Sequence, residues 1–401
     1  MRVLQLCKKY PYPIKDGESV AIVYLSRALQ QCGCTVSLLA MNTRRHWYGG
    51  GGPPEALEHY ERVHAVAVDN RIRLWSAVRN LFSGRSYHVE RFVSEAFARR
   101  LAEILQQETF DVVLLETIYL TPYVPLIREH SRACVALRTH NVESEIWERI
   151  AAHSGFAKRQ YLRLQAQRLK RFEQAHLHDG DIVVGISERD VATFRAWGLQ
   201  KPAVVVPIGV DMAAYVPDEN SFEQPLSLCF IGSLDWQPNL EGLQWFLDEV
   251  WAPLLAPAFP ELTLHIAGRN TPAWMRQLHL PRVHVHGEVP DAAVFLNAHP
   301  VLVVPLLSGG GMRAKIVEAM ALGRVVISTS VGLEGIPARH GAEVLVADDA
   351  LAFAEAVRFC LEQANQLVHI GRRARAFCEA QFDHIHVAEQ LLEAFQAEIK
   401  K

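Results

Sequence analysis

The chain has 401 residues, 50% of them hydrophobic by type and 21% charged, so it can bury large cores and two domains are expected. A disordered or collagen-like protein is excluded. Lys plus Arg number 41 against 44 Asp plus Glu, a formal charge of -3, which excludes recruitment of nucleic acid by a global positive field and leaves any anion site to local geometry.

The opening MRVLQLCKKY has a short apolar stretch followed at once by Lys8 and Lys9, and is expected to be a first strand rather than a leader. The longest apolar stretch, near 293–307, is interrupted by Asn297, His299, Pro300 and Pro305, so no membrane span is expected. The seven cysteines include no CxxC pair, with only Cys32 and Cys34 close together, and read as reduced, buried thiols of a cytosolic protein without a zinc site.

Short Val, Ile and Leu runs alternate with segments of helical period, the pattern of parallel sheets covered on both faces. The first series predicts strands at Arg2–Leu6, Thr35–Ala40, Asp111–Leu115, Ala133–Leu137, Asp181–Gly185 and Ala203–Val206, with a helix from about Val20 to Cys32 closed by Gly33. The loop before that helix carries Gly17, with Ser19 as the expected cap; by position it presents amides at the carboxyl edge of a sheet. Gly49–Pro54 reads as a mobile loop. Two arginine-rich stretches, 71–100 and 157–174, mix Arg with Trp, Phe, Leu and Tyr, as helices lying on anionic lipid do, and as solvated helices with one apolar face also do.

His140 closes the strand ACVALRT at the edge where open α/β sheets place ligands; Asn141 is a candidate cap for the next helix. Asp179-Gly180-Asp181 imitates a metal motif but reads as a turn, and Ser187 with Asp190 reads as a helix start. Residues 207–225, bracketed by Pro207, Gly209, Pro217 and Pro225, are the expected hinge.

The second series predicts strands at Leu226–Ile231, Leu262–Ala267, Val283–His286, Val301–Val304 and Val325–Ser328, and three helical segments beyond Ala350. Gly287 to Val289 form an exposed turn, and Asp291 starts the next helix. His284 and His286 share a face by period two, without a third metal ligand in view. The stretch 301–323 is the most informative. A buried strand ends in Gly309, Gly310 and Gly311 and a helix begins at about Met312, so backbone amides face outward. Arg313 and Lys315 then stand in a first turn, where cations oppose the helix dipole, and a nearby anion removes that conflict. Glu318, three residues after Lys315, is alternatively an ordinary ion-pair partner.

GGGMRAKIVEAMALG at 309–323, RTHNVE at 138–143 and FIGSLDWQPN at 230–239 together resemble the retaining glycosyltransferases of family four, in the branch of exopolysaccharide and cell-envelope clusters. The resemblance implies the GT-B fold, α/β with two Rossmann-like doubly wound parallel-sheet domains facing a central cleft. Residues 1–206 are then the acceptor-side domain, with a helix at about 384–401 returning to it, and 207–383 the nucleotide-sugar domain. It implies that His140 contacts the donor sugar, that Gly17 borders the donor phosphates, that the turn Gly287–Val289 reads the base through its main chain, and that Glu318 holds the ribose. Of the family's glutamate pair the first falls at Gly310, which offers only its amide; the family cations on the diphosphate fall at Ser233 and Asn239. Arg313 and Lys315 are the expected substitutes, meeting leaving-group charge.

The expected activity is metal-independent transfer of a sugar from a nucleotide-diphosphate-sugar to a saccharide or lipid-linked acceptor in envelope synthesis, with no cofactor. The expected location is cytoplasmic, with an anionic membrane surface as a further partner. A nucleotide-sugar-binding protein without catalysis and a nucleotide-sugar 2-epimerase on the same fold are the alternatives, the latter needing acid/base carboxylates that no motif supplies. A dehydrogenase is disfavoured, since no strand is followed by G-x-G-x-x-G.

Overall fold

The structure is a computed structural model that describes all residues except 15, 51, 72–74, 76–78, 81 and 153. The chain divides into two compact units, Met1–Gly209 with His384–Lys401, and Val210–Asp383. The chain crosses between them at 209/210, three residues after the expected 206/207.

In the first unit the strands are β1 (Arg2–Cys7), β2 (Thr35–Thr43), β3 (Arg62–Val68), β4 (Val112–Leu115), β5 (Cys134–Thr139), β6 (Ile182–Gly185) and β7 (Ala203–Val205). All pair in parallel in the order β3-β2-β1-β4-β5-β6-β7. The order reverses direction between β1 and β4, so the loops leaving their carboxyl ends diverge and open a crevice there. The central strands are buried on both faces, which is why they read as continuous apolar runs. Strand β3 was not expected: RVHAVAV alternates and is half exposed at the sheet edge.

Local signals set most helix ends, with two corrections. The helix Gly17–Gln31 is capped by Asp16, whose carboxylate accepts from the Ser19 amide at 2.9 Å; Ser19 itself lies in the first turn. The helix Glu143–Ala152 is not closed by Asn141: Glu173, from the helix Phe156–His176, accepts from the amides of Glu143 and Ser144 at 2.8 and 3.0 Å. Ser187 caps the helix Glu188–Ala196, and Asp181 accepts from the Val135 amide at 2.8 Å, so the Asp-Gly-Asp stretch serves a turn. The helix His384–Ile399 buries Val387, Ala388, Leu391 and Phe395 in the same core as Ile22, Leu25 and Leu29. Residues 72–74, 76–78 and 81 of the arginine-rich segment 71–100 lie outside the described residues; its later part forms the helix Tyr87–Glu90 and enters the helix Glu95–Gln107.

The second unit repeats the plan. Strands β8 (Ser227–Ile231), β9 (Thr263–Ala267), β10 (Val283–Gly287), β11 (Val301–Val304), β12 (Val325–Ser328) and the two-residue β13 (Leu345–Val346) pair in parallel as β10-β9-β8-β11-β12-β13. Here the reversal falls between β8 and β11, which brings 232–239 beside 305–315. Close approach requires Gly242 in the helix Gln237–Trp245, because a Cβ there would lie 2.2 Å from the Pro305 carbonyl oxygen. Among the described residues no helix is long and apolar enough to cross a membrane.

Candidate functional site

Strand β11 ends in a loop whose Gly309 (φ 114) and Gly311 (φ 79) adopt the left-handed region, open to glycine without strain. The following helix spans Ala314–Ala321, starting two residues later than expected and leaving Arg313 at its cap position. The buried Arg313 guanidinium turns back on this loop. It donates to the carbonyls of Gly310 and Gly311, the latter at 2.6 Å, and lies 5.4 Å above the Trp236 ring. A Cβ at Gly309 would meet Arg313 Nη2 at 2.9 Å, so this glycine also makes room for the side chain. Arg313 therefore holds the shape of the glycine loop.

Lys315 reaches the other way, across the reversal point. Its Nζ donates to Asn239 Oδ1 at 2.9 Å and lies 4.3 Å from the Phe230 ring centroid, with no carboxylate in ion-pair reach among the described residues. Burial, and then the charge of Arg313, push its pKa down to about 7. Asn239 in turn donates to the Ser233 carbonyl at 2.8 Å. Arg269, leaving β9, donates through Nε to Ser233 Oγ at 3.0 Å. A Cβ at Gly232 would sit 2.8 Å from Asn239 Nδ2 and 3.2 Å from Lys315 Nζ, so glycine keeps this cradle open. Thus Ser233 and Asn239 each have a cation bonded to them from another element.

Glu318 lies one helical turn beyond Lys315 and accepts from the Tyr215 hydroxyl at 3.0 Å; burial raises its pKa despite that bond. It forms no ion pair with Lys315 among the described residues. Gly287 (φ 72) ends β10, its carbonyl accepting from the Gly268 amide at 2.7 Å, with Val289 half-buried after it and Asp291 capping the helix Ala292–Asn297. His284 and His286 flank His265 at ring distances of 4.8 and 5.2 Å, and His299 stacks on it at 4.2 Å. Burial, followed by the neighbouring imidazoles, lowers His265 to about 3, and among the described residues no three His, Cys, Asp or Glu side chains are arranged to hold a metal ion.

In the first unit, His140 follows β5 and is nearly buried, its Nε2 2.8 Å from Glu116 Oε2 at the end of β4. Arg138 Nη1 donates to the same oxygen at 3.1 Å, and Gln5 donates to Oε1. Beyond β1, Lys8 and Lys9 form ion pairs with Glu18, and Lys9 with Asp16, next to Gly17. Burial alone would raise Glu18, but Lys8, Lys9 and His140 bring it to about 2. A cavity of about 620 Å³ lies at the opposite edge of this sheet, lined by Asp111, Cys134 and Asp181 at the strand beginnings, away from these groups.

The fold is similar along its length to sucrose-phosphate synthase from Thermosynechococcus elongatus, at 19% identity and a TM-score of 0.72, covering 99% of each chain. It is also similar to Anabaena HepE solved in complex with UDP, at 14% identity and a TM-score of 0.67, covering 99% of this chain and 100% of that one. Residues 16–209 match the family model of the glycosyl transferase 4-like domain, and 225–363 that of glycosyl transferases group 1, together most of the chain. The chain belongs to the GT-B glycosyltransferases. An uncharacterized 44.6 kDa protein in the cps region of Klebsiella pneumoniae is 24% identical to this glycosyltransferase over 190 residues, 44% of the chain. That match spans about half of the relative's length, 49%. Within this GT-B chain, Glu116, Tyr215 and Arg269 escaped the sequence reading. Glu116 had a local signal, an acid directly after the apolar run VVLL at a strand end; the other two had none.

Proposed function

We propose that this protein is a retaining, metal-independent glycosyltransferase that moves a sugar from a nucleoside-diphosphate-sugar to a saccharide or lipid-linked acceptor in envelope or exopolysaccharide synthesis. The observation that carries the reading is the half-buried Lys315 ammonium, which lacks an acidic partner among the described residues and is linked through Asn239 and Ser233 to Arg269. Desolvating a cation without a counter-charge costs free energy, and a bound pyrophosphate removes that cost. Glu318 and Tyr215 would then serve the ribose, the Gly287–Val289 turn the base, and His140 the transferred sugar. The UDP complex of HepE and the cps-region relative support a nucleotide-sugar donor and a polysaccharide product.

Gly310 favours a second reading, a nucleotide-sugar binder without transfer, because no carboxylate stands at that position. A screen of nucleotide sugars by thermal shift, followed by transfer assays with the best donor, separates the two. Nucleoside diphosphate release with a glycosylated product is expected, and it is expected to persist in EDTA. Donor binding without any turnover selects the binder; loss of activity in EDTA with recovery in manganese removes metal independence.

We further propose cytoplasmic action at an anionic membrane surface. Trp75 and Phe82, 87% and 89% exposed, and the exposed Phe156 that opens the basic helix Phe156–His176 support it, with each basic residue near the surface contributing about 1 kcal/mol. The chain is expected to sediment with phosphatidylglycerol vesicles and to stay in the supernatant of phosphatidylcholine vesicles; equal partitioning counts against this surface.

A further inference from the structure

Glu116 is a fully buried acid beside the point where the first sheet reverses, and its oxygens meet three donors, Arg138, Gln5 and His140. Gln5 is itself oriented by the Tyr60 hydroxyl, which donates to its Oε1 at 2.7 Å, and Arg138 also donates to the Ala21 carbonyl at 3.2 Å. The network fixes one ring proton. A carboxylate that is ionised accepts only, so the imidazole nitrogen 2.8 Å from it carries a proton. Burial alone would raise the Glu116 pKa, but Arg138, His140 and Gln5 together hold it below the usual carboxylate range.

The other ring nitrogen has no hydrogen-bond partner among the described residues, although Glu18, Lys8 and Glu143 cluster nearby at the carboxyl ends of the strands. We infer that Glu116 is the positioning residue of His140, fixing the imidazole with its proton on Nε2 and presenting the Nδ1 lone pair as acceptor for a sugar hydroxyl. The inference rests on the transferase reading for the identity of the ligand, but the ring state itself does not. The first unit is thereby built to select a sugar that bears a hydroxyl, rather than a hydrogen or a methyl group, where it meets this ring. An unpaired buried acceptor disfavours the deoxy analogue.

The test begins with the free protein carrying 15N-labelled histidine. His140 is one of 18 histidines and is assigned by the signals lost in His140→Asn. Two-bond ring correlations near neutral pH are expected to show Nε2 protonated and Nδ1 bare; a proton on Nδ1, with or without one on Nε2, overturns the inference. In Glu116→Gln both tautomers are expected to appear, and a ring that stays wholly Nε2-protonated removes Glu116 from the role. That variant leaves Arg138 facing a neutral partner and is open to misfolding, so side-chain swaps at His140 give the independent arm. His140→Gln reaches Glu116 but offers no acceptor at the Nδ1 position, whereas His140→Asn offers an amide oxygen there. Transfer kcat/KM is expected to fall about 100-fold in the first and about tenfold in the second; the reverse order overturns the inference. Because the ring measurement needs no substrate, a protein that shows the expected tautomer yet transfers no sugar loses only the transferase reading.

Discussion

Lys315→Met is expected to weaken UDP or GDP binding by about 10- to 100-fold, the range for losing one charge-assisted hydrogen bond. Adding Asn239→Lys to that variant is expected to recover most of the loss, because Asn239 Oδ1 is where the Lys315 ammonium now rests, 2.9 Å away. The same residue sets a pH dependence. In the free protein burial holds Lys315 at about 7, against an ordinary 10.5. A bound diphosphate favours the ammonium, so the complex holds the proton more tightly than the free protein does. Affinity is then full below about pH 7 and falls by up to tenfold per unit as pH rises above it. The variant is expected to bind weakly and evenly across that range. Folding stability moves in the other direction. The unfolded chain binds more protons than the folded one between pH 7 and 10.5, so stability rises with pH across that window, and Lys315→Met is expected to raise Tm at pH 7 in the absence of nucleotide. Isothermal titration at several pH values with thermal melts checks both halves; affinity that is flat with pH in the unmodified protein sinks the assignment.

Arg313→Ala is expected to cut turnover about 100- to 1,000-fold while far-UV circular dichroism stays unchanged. Truncation removes the guanidinium that ties the carbonyls of Gly310 and Gly311 together and that covers Trp236, so the glycine loop loses its fixed shape. Arg313→Lys is not expected to rescue: a point-like ammonium cannot bond both carbonyls and stack on the indole at once. Near-normal turnover in Arg313→Ala removes Arg313 from the machinery. On the proposed function the two neighbours act differently, Lys315 through charge at the phosphates and Arg313 through the shape of the glycine loop.

Much of the fold is legible in the residues. Buried strands such as VVLL at 112–115 and VLVV at 301–304 announce themselves because both faces are covered and every position is apolar. The edge strand Arg62–Val68 does not, since Arg62, Ala65 and Ala67 are exposed and Arg62 and His64 interrupt the apolar run, and two-residue β13 is too short to show any period. Helix caps obey local rules where the partner is local, as at Ser187 and Asp291, and escape them where it is not: Glu173 closes a helix that begins 30 residues earlier. The candidate site divides in the same way. Gly309, Gly311 and His140 are marked by their place at strand ends, but nothing near residue 315 says that its ammonium reaches Asn239.

The order of apolar runs and glycines along the chain determined two doubly wound sheets and which loops lie at their carboxyl edges, because strand and helix periods are local properties of sequence. Which charge meets which group was decided only by tertiary structure. Strand order, reversing between β1 and β4 and again between β8 and β11, sets segments far apart in sequence side by side, and through it Lys315 reaches Asn239, Arg269 reaches Ser233, and Glu116 meets His140.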